Sequence, residues 1–239
     1  MKVFAHRGAS GHAPENTLLA IEMAINMQVD AIEIDVHKVE QELVVIHNRH
    51  LHHTTNGQGR IAEKQFYEIR TLDAGGGQQI PTLWEVLALV NGQCGLNIEL
   101  KTENIVESVF RQLQKAVSEL NFQREQFLIS SFNHHLLNEF KLKHPDWQIG
   151  ALTASLPLEY AMFAEKLSAY SVHIDVDFVN QTFVDDAHAR GLKVFVYTVD
   201  DEDDIEDLLH MGVDGIFSNF PTRSMIRIAH LKLNEKPAQ

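Results

Sequence analysis

The chain has 239 residues, of which 44% are hydrophobic and 22% charged, which is enough apolar material for one sizeable core. Its 33 acidic residues outnumber 20 Lys and Arg, giving a formal net charge of −13. Such a surface repels polyanions, so nucleic acid is excluded as a partner. No apolar stretch is long enough for stable membrane insertion and no signal peptide is recognisable. With Cys94 as the single cysteine, we expect a cytoplasmic protein without an internal disulfide.

Short apolar runs alternate with segments of helical period along almost the whole chain. The predicted strands are Lys2–His6, Ala31–His37, Gly95–Lys101, Phe127–Phe132, Gln148–Thr153, Ser171–Val176, Lys193–Val199 and Gly215–Asn219. The predicted helices are Glu15–Met27, Thr82–Val90, Glu103–Leu120, His134–Lys143, Leu158–Leu167, Asn180–Arg190, Glu202–His210 and Thr222–Leu231. Eight strand–helix units with short connections predict an α/β protein, a (β/α)8 TIM barrel. A doubly wound open sheet is the competing fold, but no Gly-x-Gly-x-x-Gly turn follows any strand.

One stretch, residues 38–81, interrupts this alternation. Its apolar run Leu43–His47 predicts an extra strand or a strand extension. The remainder, about residues 48–80, is too long for a simple loop and predicts a small insertion. Because it follows the second barrel strand, it lies over the C-terminal mouth, where barrel enzymes keep their active sites. No linker or repeat separates a further unit, so we predict a single barrel domain over residues 1–239.

The first strand ends in His6, Arg7 and Gly8. Histidine moves protons near neutral pH, and arginine grips an anionic oxygen through two parallel hydrogen bonds. This pair is also compatible with an ordinary surface loop, so on its own it only suggests phosphate chemistry. His47 closes a later apolar run in the same manner and offers a second imidazole. His173 and Asp175 share one face of a later strand, but no role is assigned to them.

Carboxylates form the next feature. Glu33 and Asp35 are two residues apart on one strand and therefore point to the same side, as do Glu99 and Lys101 on the next strand. Neighbouring strands would bring the three carboxylates together. One reading is a site for Mg²⁺ or Ca²⁺, which prefer hard oxygen ligands. The other is a buried ion-pair network in which Lys101 neutralises the acids, and the spacing alone leaves both open.

These motifs, in this order, resemble the glycerophosphodiester phosphodiesterase family over roughly residues 2 to 225. The matching early segments are His6–Gly8, Pro14–Thr17, Glu33–Asp35, the His47 segment through Leu51 and residues 54–57, and Ile98–Lys101. The matching late segments are Ser131 with Phe132, Tyr197–Val199, and Asp214–Ile216 with Pro221.

The resemblance implies a barrel enzyme that hydrolyses deacylated phospholipids to sn-glycerol 3-phosphate and an alcohol such as choline, ethanolamine or glycerol. It also implies a small-molecule phosphodiester substrate and a divalent cation, Ca²⁺ or Mg²⁺. The implied roles are acid–base catalysis for His6 and His47, phosphate contact for Arg7 and Lys101, and metal binding for Glu33, Asp35 and Glu99.

The chain departs from the family pattern at two positions. Asn48 follows the second histidine where the family usually has Asp, and Asn219 ends the last strand where Asp is usual. An Asp after the histidine could orient the imidazole, so its loss puts the rate in question more than the reaction. The nucleophile is either water or the substrate's own glycerol hydroxyl, and the head group, the metal and the oligomeric state, a homo-oligomer among the alternatives, stay open.

Two alternative functions also fit the motifs. The first is a lysophospholipase-D-like barrel that acts on lysophospholipids and therefore needs an apolar face for the acyl chain. The candidates for that face are Phe66, Tyr67, Tyr160, Met162 and Phe163. The second is a non-catalytic barrel that binds phosphodiesters, which would not require two proton-transfer groups.

Overall fold

Eight parallel strands close into a barrel in the computed structural model, which describes residues 1–234. In chain order the strands are β1 (Lys2–His6), β2 (Ala31–Val39), β3 (Glu42–Val45), β4 (Gly95–Leu100), β5 (Phe127–Ser131), β6 (Gln148–Thr153), β7 (Ser171–Asp175), β8 (Lys193–Tyr197) and β9 (Gly215–Ser218). Around the barrel the order is β1, β2, β4, β5, β6, β7, β8, β9 and back to β1. The predicted (β/α)8 barrel is confirmed, and each predicted strand ends within two residues of the observed one.

Most of the helices cover the outside of the barrel and connect its strands, and one short helix lies in the insertion. They are α1 (Leu18–Asn26), α2 (Phe66–Ile69), α3 (Leu83–Val90), α4 (Val106–Glu119), α5 (His134–Lys143), α6 (Met162–Lys166), α7 (Gln181–Ala189), α8 (Glu202–His210) and α9 (Pro221–Asn234). None of the helices within residues 1–234 is both long enough and apolar enough to cross a membrane.

Strand β2 shows how the alternation of side chains builds two layers. Ile32, Ile34 and Val36 are fully buried in the main core, between the sheet and the helices. Glu33 and Asp35 alternate with them and therefore point to the opposite face, the barrel interior. Below that level the interior is filled by a second apolar cluster, which consists of Phe4, Ala31, Leu128, Phe195 and Phe217.

Three helices begin three or four residues later than the sequence predicts. The observed starts are Leu18, Val106 and Met162. A residue with left-handed backbone precedes each start: Asn16 at φ 57°, Asn104 at φ 58° and Tyr160 at φ 46°. A right-handed helix does not pass through such a residue, so the apolar periodicity alone placed these helix starts too early.

The predicted extra strand forms as β3, which pairs antiparallel with the extended end of β2, with Val36 opposite Val45. Residues 48–80 then fold as the predicted insertion, with two 3-10 turns and the short helix α2. The insertion has its own small core, made by Val39, Val44, Ile46, Leu51, Ile61, Ile69, Ala74 and Ile80. Because β3 anchors this core to β2, residue 47 is held beside the barrel mouth.

Candidate active site

The turn after β1 consists of two consecutive left-handed residues, Arg7 at φ 56° and Gly8 at φ 79°. A Cβ atom on Gly8 would lie 2.7 Å from the backbone carbon of Ala20 in α1, so glycine alone fits between turn and helix. This backbone directs the N–H of Arg7 at β2, where it donates to Glu33 Oε2 at 2.9 Å. His6 and Arg7 therefore lie at the carboxyl end of the barrel, beside the acidic strand.

The three predicted carboxylates converge at this end of the barrel. Asp35 on β2 and Glu99 on β4 are direct partners in the strand register. One oxygen from each of Glu33, Asp35 and Glu99 lies within 4.8 Å of the other two, and all three residues are buried. The sequence spacing thus predicted the convergence correctly.

Two cationic side chains contact this cluster of three carboxyl groups. Lys101 Nζ lies 2.6 Å from Glu99 Oε1 and 3.3 Å from Asp35 Oδ1, and Arg7 Nε lies 3.4 Å from Asp35 Oδ2. Burial opposes ionisation of Asp35, but Lys101 and Arg7 hold its pKa at about 2. Burial and the charge of Asp35 raise the pKa of Glu99 to about 7 and that of Glu33 well above its ordinary value.

The donor set at this cluster fits a divalent cation. The Asn97 amide lines the same cavity as Glu33 and Glu99; its Nδ2 donates to Ser130 Oγ at 3.0 Å, while its buried Oδ1 has no partner within residues 1–234. Carboxylate and amide oxygens are the ligands that Mg²⁺ and Ca²⁺ prefer. The ion-pair network through Lys101 also exists, but Lys101 contacts only Asp35 and Glu99, whereas Glu33 accepts the backbone N–H of Arg7. The cluster is therefore consistent with a divalent metal.

Asn16 is a site residue whose role the sequence analysis did not identify. Its Nδ2 donates to Asp35 Oδ2 at 2.9 Å, and its Oδ1 accepts the backbone N–H of Asp35 at 3.2 Å. Asparagine tolerates the left-handed conformation that Asn16 adopts. In the segment Pro14–Thr17, Asn16 thus holds both the carboxylate and the backbone N–H of Asp35. The local signal in the sequence here was the helix-start pattern, with Thr17 as the N-cap of α1.

His6 is held by a chain of polar groups from the neighbouring strand end. Asp200 Oδ2 accepts from Asn219 Nδ2 at 2.6 Å, which turns Asn219 Oδ1 towards Ser10 Oγ at 2.7 Å and His6 Nδ1 at 2.8 Å. Because an amide oxygen only accepts, His6 carries its proton on Nδ1 and keeps Nε2 as an acceptor. Burial, and then the charge of Arg7, lowers the pKa of His6 to about 4.

His47 lies just beyond β3 and is held more loosely. Its Nδ1 is 3.3 Å from Asn48 Oδ1, while its backbone oxygen accepts from His37 Nε2 at 3.2 Å. Thr102 Oγ1 in turn contacts His37 Nδ1 at 3.1 Å. Burial lowers the pKa of His47 to about 4 against the opposing charge of Asp35. His37 is therefore a supporting residue that the sequence analysis did not identify.

The two histidines and the acids open into one cavity of ≈ 230 Å³ at the barrel mouth. Of the predicted site residues, the ones that line it are His6, Arg7, Glu33, His47 and Glu99. Asp35 and Lys101 are not on the lining, but Asp35 contacts Arg7 and Lys101 contacts Glu99. The rest of the lining consists of residues to which the sequence assigned no role: Asn97, Phe132, Leu152, His173, Asp175, Tyr197, Thr198 and Phe217.

His173 is buried in this wall and neutral. Its Nε2 is 2.9 Å from Ser171 Oγ, and burial lowers the pKa of the ring to about 3. A Cβ on Gly150 would lie 2.4 Å from His173 Nε2, so the neighbouring strand leaves room for this imidazole by having glycine there. The five aromatic and methionine residues considered for an acyl-chain face are all absent from the cavity lining.

The fold and the site together define a (β/α)8 barrel with two imidazoles and an acidic cluster at one cavity. Residues 6–223 match the model of the glycerophosphoryl diester phosphodiesterase family. The chain belongs to this family. Membership confirms the predicted resemblance and the predicted enzyme class, a phosphodiesterase.

Relatives and solved structures agree with this assignment over nearly the full length. A glycerophosphodiester phosphodiesterase of Caldanaerobacter subterraneus is 38% identical over 229 residues, which are 92% of this chain and 94% of that protein. The structure of an Oleispira antarctica phosphodiesterase, solved with the product sn-glycerol 3-phosphate, is 31% identical with a TM-score of 0.86, covering 96% of this chain and 97% of that one. A Silicibacter pomeroyi structure, described as a putative glycerophosphoryl diester phosphodiesterase, is 26% identical with a TM-score of 0.90, covering 97% and 94%.

Proposed function

We propose that this chain hydrolyses glycerophosphodiesters, such as glycerophosphocholine and glycerophosphoethanolamine, to sn-glycerol 3-phosphate and an alcohol. The observation that carries the proposal is the single cavity lined by His6, His47 and two carboxylates of the acidic cluster. The names of its full-length relatives and the product in the Oleispira structure support the same substrate class.

In the proposed reaction His6 and His47 form the acid–base pair. Both rings are neutral at pH 7 because burial holds each pKa at about 4, so either has a lone pair for the proton of the nucleophile. A phosphodiester anion between the rings favours protonation of one of them, since an opposite charge raises an imidazole pKa. That ring then delivers its proton to the leaving alkoxide, while the other acts as the base.

Arg7 and Lys101 are the proposed phosphate contacts. The Arg7 guanidinium is fixed by Glu15 Oε1, 2.9 Å from its Nη1, and this partner stops it from turning freely in the cavity. Lys101 lies between Asp35 and Glu99 and would share its charge with the phosphate. A divalent cation, Mg²⁺ or Ca²⁺, held by Glu33, Asp35 and Glu99 would neutralise negative charge on the non-bridging oxygens.

A product assay tests the proposal. Purified protein is incubated with glycerophosphocholine, glycerophosphoethanolamine or a lysophosphatidylcholine, and sn-glycerol 3-phosphate is measured by coupling to its dehydrogenase, with choline measured in parallel. We expect both products from glycerophosphocholine. Choline from the lysolipid alone would establish the lysophospholipase D alternative, and no product from any substrate would favour the non-catalytic barrel.

Chelation tests the cation. Dialysis against EDTA should abolish turnover, and separate additions of Mg²⁺ and Ca²⁺ should show which ion restores it. Full activity in the chelator would exclude the metal role of the acidic cluster. The single-domain organisation, the cytoplasmic location and the oligomeric state stay predictions, for which limited proteolysis, cell fractionation and light scattering are the measurements.

A further inference from the structure

The cavity wall opposite the acidic cluster has a different chemistry. Strand β7 is four places from β2 in the eight-membered ring of parallel strands, so its end lies across the barrel from Glu33. Here Asp175 of β7 lies next to Tyr197 of β8 in the strand register. Phe132, at the end of β5, completes this group at the rim, where it is 47% exposed. The rest of this wall is largely apolar, with Leu152 and Phe217.

Two aromatic rings line the cavity here, and neither has a free hydroxyl proton to donate. Phe132 and Tyr197 lie edge to face, with centroids 6.0 Å apart and planes at 89°. The Tyr197 hydroxyl donates to the Thr153 carbonyl oxygen at 2.8 Å, which fixes the ring and occupies the hydroxyl proton. Burial, and then the nearby charge of Asp175, raises the pKa of Tyr197, so this hydroxyl stays neutral.

Asp175 is the one carboxylate of this wall and has no cationic partner among residues 1–234. Its Oδ1 accepts the backbone N–H of Asp177 at 3.0 Å, a local turn contact. This is the one hydrogen bond of the Asp175 side chain among residues 1–234, where it forms no ion pair. By contrast, Asp35 and Glu99 each contact a cationic side chain.

A carboxylate beside two aromatic rings matches an ammonium group. Aromatic faces attract cations, quaternary ammonium in particular, and a carboxylate adds direct charge attraction. A glycerol unit needs several hydrogen-bond partners, and besides Asp175 this wall offers only Thr198 and the buried His173. An anionic group would be repelled by Asp175. The phosphate belongs with Arg7 on the other wall, so a substrate that spans the cavity places its alcohol half here.

We propose that Phe132, Asp175 and Tyr197 form a subsite for a cationic head group. The enzyme would then prefer glycerophosphodiesters of choline or ethanolamine over those of uncharged or anionic alcohols. This inference rests on the proposed glycerophosphodiester hydrolysis and adds the selection among its substrates.

The test compares two substrates in three proteins. kcat/KM is measured with glycerophosphocholine and with glycerophosphoglycerol, whose head group is uncharged, in the wild type, Asp175→Asn and Asp177→Asn. Asp175→Asn keeps a side-chain oxygen that can accept the backbone N–H of Asp177, so only the negative charge is removed. We expect the ratio of the two kcat/KM values to favour choline in the wild type. It should fall about tenfold in Asp175→Asn, because the charge attraction between the carboxylate and the ammonium group is lost. The exposed Asp177 is the matched control and should leave the ratio unchanged.

Choline binding provides a readout independent of turnover. Calorimetry should detect choline binding to the wild type, and both Asp175→Asn and Phe132→Leu should weaken it several-fold. If Asp175→Asn lowers kcat/KM equally for both substrates, the ratio is unchanged and Asp175 has a merely structural role. An unchanged ratio therefore overturns the subsite but leaves the proposed hydrolysis intact. Absence of turnover with either substrate in the wild type would instead overturn the proposed function.

Discussion

Two arcs of the barrel wall meet in one cavity and hold their polar groups in different ways. On the arc of β1, β2 and β4, polar partners fix the titratable groups, as Asn219 fixes His6 and Asn16 fixes Asp35. On the arc of β5 to β8, the lining has aromatic and apolar side chains beside the neutral His173 and beside Asp175, which forms no ion pair among residues 1–234. The first arrangement fixes the direction of lone pairs and charges, which proton transfer requires. The second leaves aromatic and apolar side chains on the cavity lining, which suit recognition of a head group.

The largest effect is expected from removing an imidazole on the first arc. His6→Ala and His47→Ala should each lower kcat by about 10²-fold or more, because each removes one proton-transfer group. The exposed His135→Ala serves as the control and should retain wild-type turnover. Near-normal kcat in either variant would remove that histidine from the acid–base pair.

The hydrogen-bond chain from Asp200 through Asn219 to His6 should have the next largest effect on kcat. In Asp200→Asn the new amide opposes the Asn219 Nδ2 donor, so Asn219 rotates and offers Nδ2 to His6, which reverses the imidazole tautomer. We expect kcat to fall about 10- to 100-fold, as for other residues that orient a catalytic ligand. The ¹⁵N shifts of the His6 ring should report the reversed tautomer.

The exchanged pair tests whether orientation is the cause. In the double variant Asp200→Asn, Asn219→Asp, the donor now lies at 200 and the acceptor at 219, so His6 regains an acceptor for Nδ1–H. Its kcat should exceed that of Asp200→Asn alone. A double variant as slow as the single one, with the wild-type tautomer, would show that the chain does not act through His6.

On the second arc, His173 should make stability depend on pH. Between its pKa of about 3 in the folded protein and the ordinary imidazole value of about 6.5, the unfolded chain binds a proton that the folded chain does not. The free energy of unfolding therefore falls as the pH falls through this window, by up to about 1.4 kcal/mol per pH unit. Urea unfolding of His173→Gln between pH 4 and 6 should show a shallower loss than the wild type or His135→Gln, and equal slopes would contradict the assignment.

The smallest effect is expected at Asn48. A carboxylate in Asn48→Asp, close to His47 Nδ1, should raise the pKa of His47 above its value of about 4. We expect kcat at pH 7 to change less than about fivefold, since the ring stays largely neutral. NMR titration of His47 measures the pKa, and the His6 signal in the same spectra is the internal control. An unshifted His47 would mean that residue 48 does not face the ring.

Features that depend on residues close together in the chain could be predicted from the sequence. Strand positions follow from apolar runs, and the pairing of Glu33 with Asp35 on one face follows from the two-residue period of a strand. The helix starts failed where a left-handed residue intervened, as at Asn104 and Tyr160. Apolar periodicity shows which side of a helix a residue faces, but it does not show the backbone conformation that decides where the helix begins.

The sequence by itself therefore determined the barrel, the acidic strands and the two imidazoles at strand ends, because these depend on neighbours in the chain. Only the tertiary structure decided which distant groups meet. Asn219 reaches His6 across 213 positions, and Asp175 stands across the cavity from Glu33 because the ring of strands closes with β7 opposite β2. Such contacts depend on strand register and barrel closure. Both are properties of the whole sheet and cannot be predicted from the residue types at single positions.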